Sequence, residues 1–187
     1  MAQKRKDWNG LISGFKASDL VFLDESGCNT DMTRRYAYSL GGSRAVDSAP
    51  LSKPKNTTIL SSIQLDGTLR YTTFSGGTTV ERFKRYLETD LLPHLNENSV
   101  LIMDNMKSHH AKAVRNLLDS SGVRYIYLPP YSPDLNPIEK LWSKVKAFLR
   151  KFKARTLDAL PNAIQCAFQT VSPSDCSGWF EFCNYLH

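Results

Sequence analysis

The spacing of apolar residues divides the chain into two halves with different periods. The first half is strand-like. The run LVFLDE at 20–25 is apolar until its last two residues and reads as a buried strand. Residues 34–40 alternate weakly and end at Gly41-Gly42, a turn signal, so a further strand is expected there. Residues 57–65 are rich in β-branched side chains, and Asp66-Gly67 divides them from 68–74, which predicts a hairpin. Between these runs, 41–56 is polar, carries proline and shows no period. Connections of that length are usually functional or disordered.

The second half alternates helical stripes with short apolar runs. Val80, Phe83, Leu87, Leu91 and Leu95 predict a helix over 78–95. A strand at 100–103 ends at Asp104. A helix over 109–118 stops near Gly122, and a strand follows at 123–128. Pro129-Pro130-Tyr131-Ser132-Pro133 must be a loop, and helices are expected over 137–152, 157–168 and 173–186. Hairpin strands followed by β-α-β crossovers predict an α/β fold: a mixed sheet with helices on both faces.

Composition narrows the class. The 187 residues suit one domain or a domain with a small appendage, and 41% hydrophobic with 22% charged residues is a globular balance that excludes disorder and coiled coil. No apolar run approaches the ~20 residues of a membrane span. Residues 1–9 are polar and lack the apolar core of a signal peptide. The expectation is a soluble, cytoplasmic chain. Cys28, Cys166, Cys176 and Cys183 form no Cys-x-x-Cys pair, and the last three with His187 fit no common zinc spacing. Free thiols are expected.

The net charge of +6 is concentrated. Residues 139–155 hold seven basic side chains (Lys140, Lys144, Lys146, Arg150, Lys151, Lys153 and Arg155) against one acid, Glu139. The rest of the chain is balanced. A basic stripe on a neutral body suits a polyanion, and it equally suits a solvated helix face. Lys144, Lys146, Arg150 and Lys153 are the candidate DNA-binding residues. Arg34 and Arg35 suit a DNA backbone or a solvated strand face. Tyr131 and Trp142 suit base stacking, although Trp142 lies on an apolar stripe that also suits the core.

Three carboxylates carry the candidate chemistry. Asp24 ends the first strand and Asp104 ends the strand at 100–103. If those strands are parallel neighbours, both side chains emerge at one sheet edge, where α/β proteins bind ligands. Close carboxylates repel unless a cation lies between them, and an all-oxygen set suits Mg²⁺ or Mn²⁺. The third, Glu139, has two readings. In Asn136-Pro137-Ile138-Glu139, Asn136 suits an N-cap and Glu139 the reciprocal capping-box position. Glu139 also lies on the flank of the stripe Ile138, Leu141, Trp142, Val145, Phe148, Leu149 and Phe152, in line with Ser143, Lys146 and Arg150. An acid with phosphate-binding cations beyond it would look like this. Glu25 points to the opposite face of its strand and is not expected as a ligand.

The run LPPYSPDLNPIEKLW (128–142) resembles the signature of mariner-type transposases, especially their bacterial insertion-sequence branch. VFLDESG (21–27) and LIMDNMKSHH (101–110) resemble that family's other two blocks, and 34 residues separate Asp104 from Glu139, as in its Asp-Asp-Glu branch. The resemblance implies a ribonuclease-H-like fold with Asp24, Asp104 and Glu139 as metal-binding catalytic residues for Mg²⁺ or Mn²⁺, two ions ~4 Å apart. Asn105 and His109 would stand behind them, and His110 is expected to be exposed. The resemblance also implies DNA hydrolysis at element ends, then strand transfer, typically at a TA step, which deforms easily. The partner implied is duplex DNA, with a second copy of the chain as a further candidate. Residues 1–19 are expected to be an extension of a catalytic domain at 20–187. A helix-turn-helix, present in full-length relatives, would act in trans. The residues also suit a non-catalytic DNA-binding relic, or a nuclease that cuts without transferring strands.

Overall fold

A computed structural model describes residues 2–34, 36–48, 50 and 54–186, with side chains from residue 7 onward. Helix α1 (Ala2–Ile12) leads into strand β1 (Leu20–Cys28), then the hairpin β2 (Thr57–Ile63) and β3 (Leu69–Ser75). Helix α2 (Val80–Tyr86), strand β4 (Val100–Met103), helix α3 (Lys112–Ser121) and strand β5 (Arg124–Tyr127) follow. Helices α4 (Ile138–Phe152), α5 (Ala159–Gln169) and α6 (Pro173–Phe182) complete the chain.

The sheet has the order β3-β2-β1-β4-β5. β1, β2 and β3 pair antiparallel; β4 runs parallel to both β1 and β5. Side chains alternate across a strand, so parity decides which layer each residue meets. Leu20, Phe22, Val100 and Ile102 join the core under α4, α5 and α6, with Trp8 and Ile12 of α1. Val21, Leu23, Leu101 and Met103 pack against Phe83, Tyr86 and Leu87 and against Val114 and Leu118 of α3. Asp24 and Asp104 both continue the first parity and Glu25 the second.

Several boundaries differ from the expected ones. Residues 34 and 36–40 form no strand, and Tyr36, Tyr38 and Leu40 stand exposed. Both edges of β1 are already taken, by β2 and β4. The helix expected over 78–95 is α2 followed by a π-turn at Leu87–Leu91 and a 3-10 turn at Leu92–His94. From Phe83 its apolar residues recur every fourth position, which outruns the ~3.6-residue α-turn. The wider π-turn keeps Leu87 and Leu91 buried. The helix expected from 109 begins at Lys112, because 106–111 is taken up by turns closed by His109 N–H to the Met106 carbonyl and Ala111 N–H to the Ser108 carbonyl. The last helix ends at Phe182, not 186. Gly67 (φ +90°) turns the hairpin against α6, where a Cβ would lie 3.0 Å from Pro173 Cα.

All four cysteines are free thiols; His187 and Arg35 lie outside the described residues. Among the described residues no helix is long and apolar enough to cross a membrane.

Candidate active site

The parallel register pairs Leu23 with Met103, so Asp24 and Asp104 stand side by side just past the last paired residues. Helix α4 begins beneath them and brings Glu139. All three carboxylates line one cleft of about 580 Å³, whose wall is the loop at 128–133. Tyr131 stands on its rim, 88% exposed with a left-handed φ of 55°. A bulky residue in that conformation carries strain of the kind that collects at functional sites.

Each aspartate is held by a specific partner. Asp24 is buried and accepts a 2.9 Å bond from the Trp142 indole N–H, one turn along α4 from Glu139. Burial pushes its carboxyl up to about 7. The Trp142 bond opposes the rise, while the neighbouring charges of Asp104 and Glu139 add to it. Asp104 Oδ1 lies 2.8 Å from His109 Nδ1 and accepts the Met106 N–H at 2.9 Å. Burial works against ionisation of Asp104, but these bonds outweigh it and hold the carboxyl below its ordinary value.

His109 is the centre of a small network. Its ring is completely buried and stacks on Phe83 at 4.2 Å, with Nε2 3.1 Å from Glu25 Oε2. Burial disfavours charge on the imidazole, yet the bonds to Asp104 and Glu25 raise it to about 9. The ring is therefore a cation joining carboxylates from the two faces of the sheet. Glu25 does face away from Asp24, as its parity requires, and it answers His109 there. Spacing alone did not reveal that role. His110, expected to be exposed, is partly buried; it stacks on Tyr127 at 4.1 Å and lies 3.3 Å from Asn105 Oδ1. Asn105 donates from Nδ2 to the Leu128 carbonyl, tying the end of β4 to the loop after β5.

The capping box at Asn136 and Glu139 does not form. The Asn136 N–H goes to the Pro133 carbonyl, and no side chain caps α4. The 3-10 turn at Pro133–Leu135 runs directly into the helix and uses the group that Glu139 would have accepted. Ser172 and Asp175 form the reciprocal box instead, at α6.

The four expected DNA-binding cations do not share one face. At ~100° per residue, Lys144 points away from Lys146. It pairs with Asp175 at 2.5 Å, and Lys153 pairs with Asp47 at 2.5 Å. Lys146 and Arg150 open with Arg34 onto a second cleft, bounded by Gly27, Cys28 and Asn29 at the end of β1. Arg155 donates to the carbonyls of Thr30 and Met32 and so holds the chain leaving β1.

The oxygen donors of Asp24, Asp104 and Glu139 suit a hard divalent cation, which would relieve the burial and mutual repulsion that raise Asp24. Among the described residues, no three His, Cys, Asp or Glu side chains are already gathered at ligating distance. Asp104 is turned towards His109.

A mixed sheet with three acidic side chains at one edge, closed by a helix, defines a ribonuclease-H-like protein with an acidic site. Residues 19–161 match the DDE superfamily endonucleases, and the chain belongs to that family. It is 30% identical over 97 residues to the transposable element Tc1 transposase of Caenorhabditis elegans, an alignment covering 50% of this chain and 36% of that protein. Its fold resembles a pre-cleavage Mos1 transpososome with a TM-score of 0.83 at 19% identity, over 98% of this chain and 59% of that one. The Mos1 mariner paired-end complex with Mn gives 0.81 at 20% identity, over 96% of this chain and 58% of that one. The chain thus spans little over a third of the curated relative and about three-fifths of the Mos1 chains.

Proposed function

We propose that this chain is the catalytic domain of a Tc1/mariner-type transposase, which cleaves DNA at element ends and joins them to a target. The observation that carries the reading is the convergence of Asp24, Asp104 and Glu139 on one cleft at the carboxyl edge of parallel strands. Membership of the DDE endonucleases and the likeness to the Tc1 and Mos1 proteins support it.

Asp24, Asp104 and Glu139 would hold Mg²⁺ or Mn²⁺, two ions in this reading; the related Mos1 complex contains Mn. Bound there, the cations supply Lewis-acid stabilisation of the phosphate and a more acidic attacking water. The chain's own residues set the geometry. Trp142 fixes the Asp24 carboxylate, and His109 fixes Asp104. Lys146 and Arg150 meet phosphates beyond the cut, which positions DNA without reading its sequence. Tyr131 offers a ring at the rim for an unstacked base. The bacterial insertion-sequence branch is the closer assignment on the sequence blocks, with a cytoplasmic setting, a TA target and a second copy of the chain among its partners.

The test is cleavage of duplex DNA with Mg²⁺ or Mn²⁺. Asp24→Asn, Asp104→Asn and Glu139→Gln are each expected to abolish cutting while the circular dichroism spectrum stays that of the parent. Full activity in Glu139→Gln would remove that residue from the site.

A further inference from the structure

Asn136 lies in the wall of the acidic cleft, and its side chain makes no hydrogen bond within the fold. Its backbone is fully engaged: the N–H donates to the Pro133 carbonyl at 3.1 Å, and the carbonyl accepts the Glu139 N–H at 3.1 Å. The carboxamide is idle. The residue is only 4% exposed, Oδ1 is buried without a partner, and among the described residues the amide makes no hydrogen bond at all. It lines the cleft together with Asp24, Asp104 and Glu139.

The buried Oδ1 is an acceptor that an anion cannot answer, but Nδ2 is unpaired as well and is not sealed off, so it is a donor free to take an incoming acceptor. Three neighbouring polar side chains have their partners: Asp24 has Trp142, Asp104 has His109, and Asn105 has the Leu128 carbonyl. Ionised carboxylates cannot donate to an anion, whereas an amide N–H₂ can. At a site dominated by negative charge, that is the group a phosphate lacks.

We propose that Asn136 is a catalytic residue whose amide N–H₂ donates to a non-bridging oxygen of the scissile phosphodiester. The proposal rests on reading the cleft as a phosphodiester-cleaving site. In the step, a bond forms from water oxygen to phosphorus and the P–O3′ bond breaks. One water proton ends on the leaving 3′ oxygen, giving a 3′-hydroxyl and a 5′-phosphate. Charge on the non-bridging oxygens is redistributed as this happens, and a fixed donor stabilises the transition state more than the bound substrate.

The experiment compares the whole chain with Asn136→Ala and Asn136→Asp on a short duplex with Mg²⁺, using Asp24→Asn as the inactive control. Asn136→Ala is expected to slow single-turnover cleavage by about 10–100-fold, the worth of one hydrogen bond to a charged group. Its duplex affinity should stay within about twofold and its Tm should not fall, because the side chain makes no native bond to remove. Asn136→Asp keeps the shape but replaces the donor by an anion, and should be at least as slow. A wild-type rate in Asn136→Ala overturns the proposal, as does a rate loss matched by a lower Tm. Activity retained in Asn136→Asp does so too, since the oxygen would then be the working atom. A second measurement needs no turnover. The Asn136 side-chain amide resonances, identified by their loss in Asn136→Ala, should shift when duplex is added with Ca²⁺. Unmoved resonances overturn the proposal even if the parent chain fails to cut, an outcome that would count against the transposase reading alone.

Discussion

His109 shows what single residues contribute here. Its imidazolium sits between two carboxylates that would otherwise face each other at a crowded edge. His109→Phe keeps a ring against Phe83 but leaves Asp104 and Glu25 without their shared cation. Breaking a buried ionic contact from one side costs on the order of 3 kcal/mol, and urea unfolding should register a loss of that size. A loss under about 1 kcal/mol would show that packing, not charge, is what the ring supplies. The carboxylates themselves were legible from sequence, since strand parity and the ends of two apolar runs place Asp24 and Asp104 together. The His109–Glu25 contact was not legible, because it joins residues 84 positions apart and depends on the turns at 106–111 placing the ring against Phe83. Trp142 was half legible: its place on the stripe marks burial but says nothing of where its N–H points.

Elements succeed or fail by the partners open to them. The hairpin was legible because Asp66-Gly67 supplies both the left-handed residue and the side-chain acceptor for the Thr68 N–H. The alternation at 34–40 misled, because β1, the strand it follows, has both edges taken by β2 and β4. Gly67→Ala should destabilise by at least about 1 kcal/mol in thermal melts, from the strained φ and the clash with Pro173 together. A gain in Tm would refute that account. At α6, the Asp175 carboxylate caps the helix and takes the Lys144 ammonium, bonds that hold it below its ordinary value. Its stabilisation is therefore present above the unfolded pKa of about 3.9 and disappears as pH falls through the lower folded value. Asp175→Asn should cost about 1 kcal/mol at pH 7, as removal of a cap does, with a deficit that shrinks in acid. A deficit that is constant with pH would point to altered shape instead.

Across the whole molecule, basic charge and the acid proposed for catalysis share one rod. Glu139 opens α4, and Lys146 and Arg150 follow along it towards the second cleft. The double change of Lys146 and Arg150 to Gln should flatten the slope of log K against log salt by about 0.9 for each phosphate no longer neutralised. Lys144→Gln should leave that slope alone, since its charge is already answered by Asp175. Equal effects from both would mean that duplex binding ignores the division of the helix into faces. The same rod is pinned to the sheet by the bond from Trp142 to Asp24, and that pin emits light. An indole's fluorescence responds to charge beside its N–H. The chain has three tryptophans, so with Trp8 and Trp179 replaced by phenylalanine the remaining emission comes from the indole bonded to Asp24. Its colour would then record each proton or cation arriving at Asp24, a built-in optical gauge of the site that needs no label and no turnover.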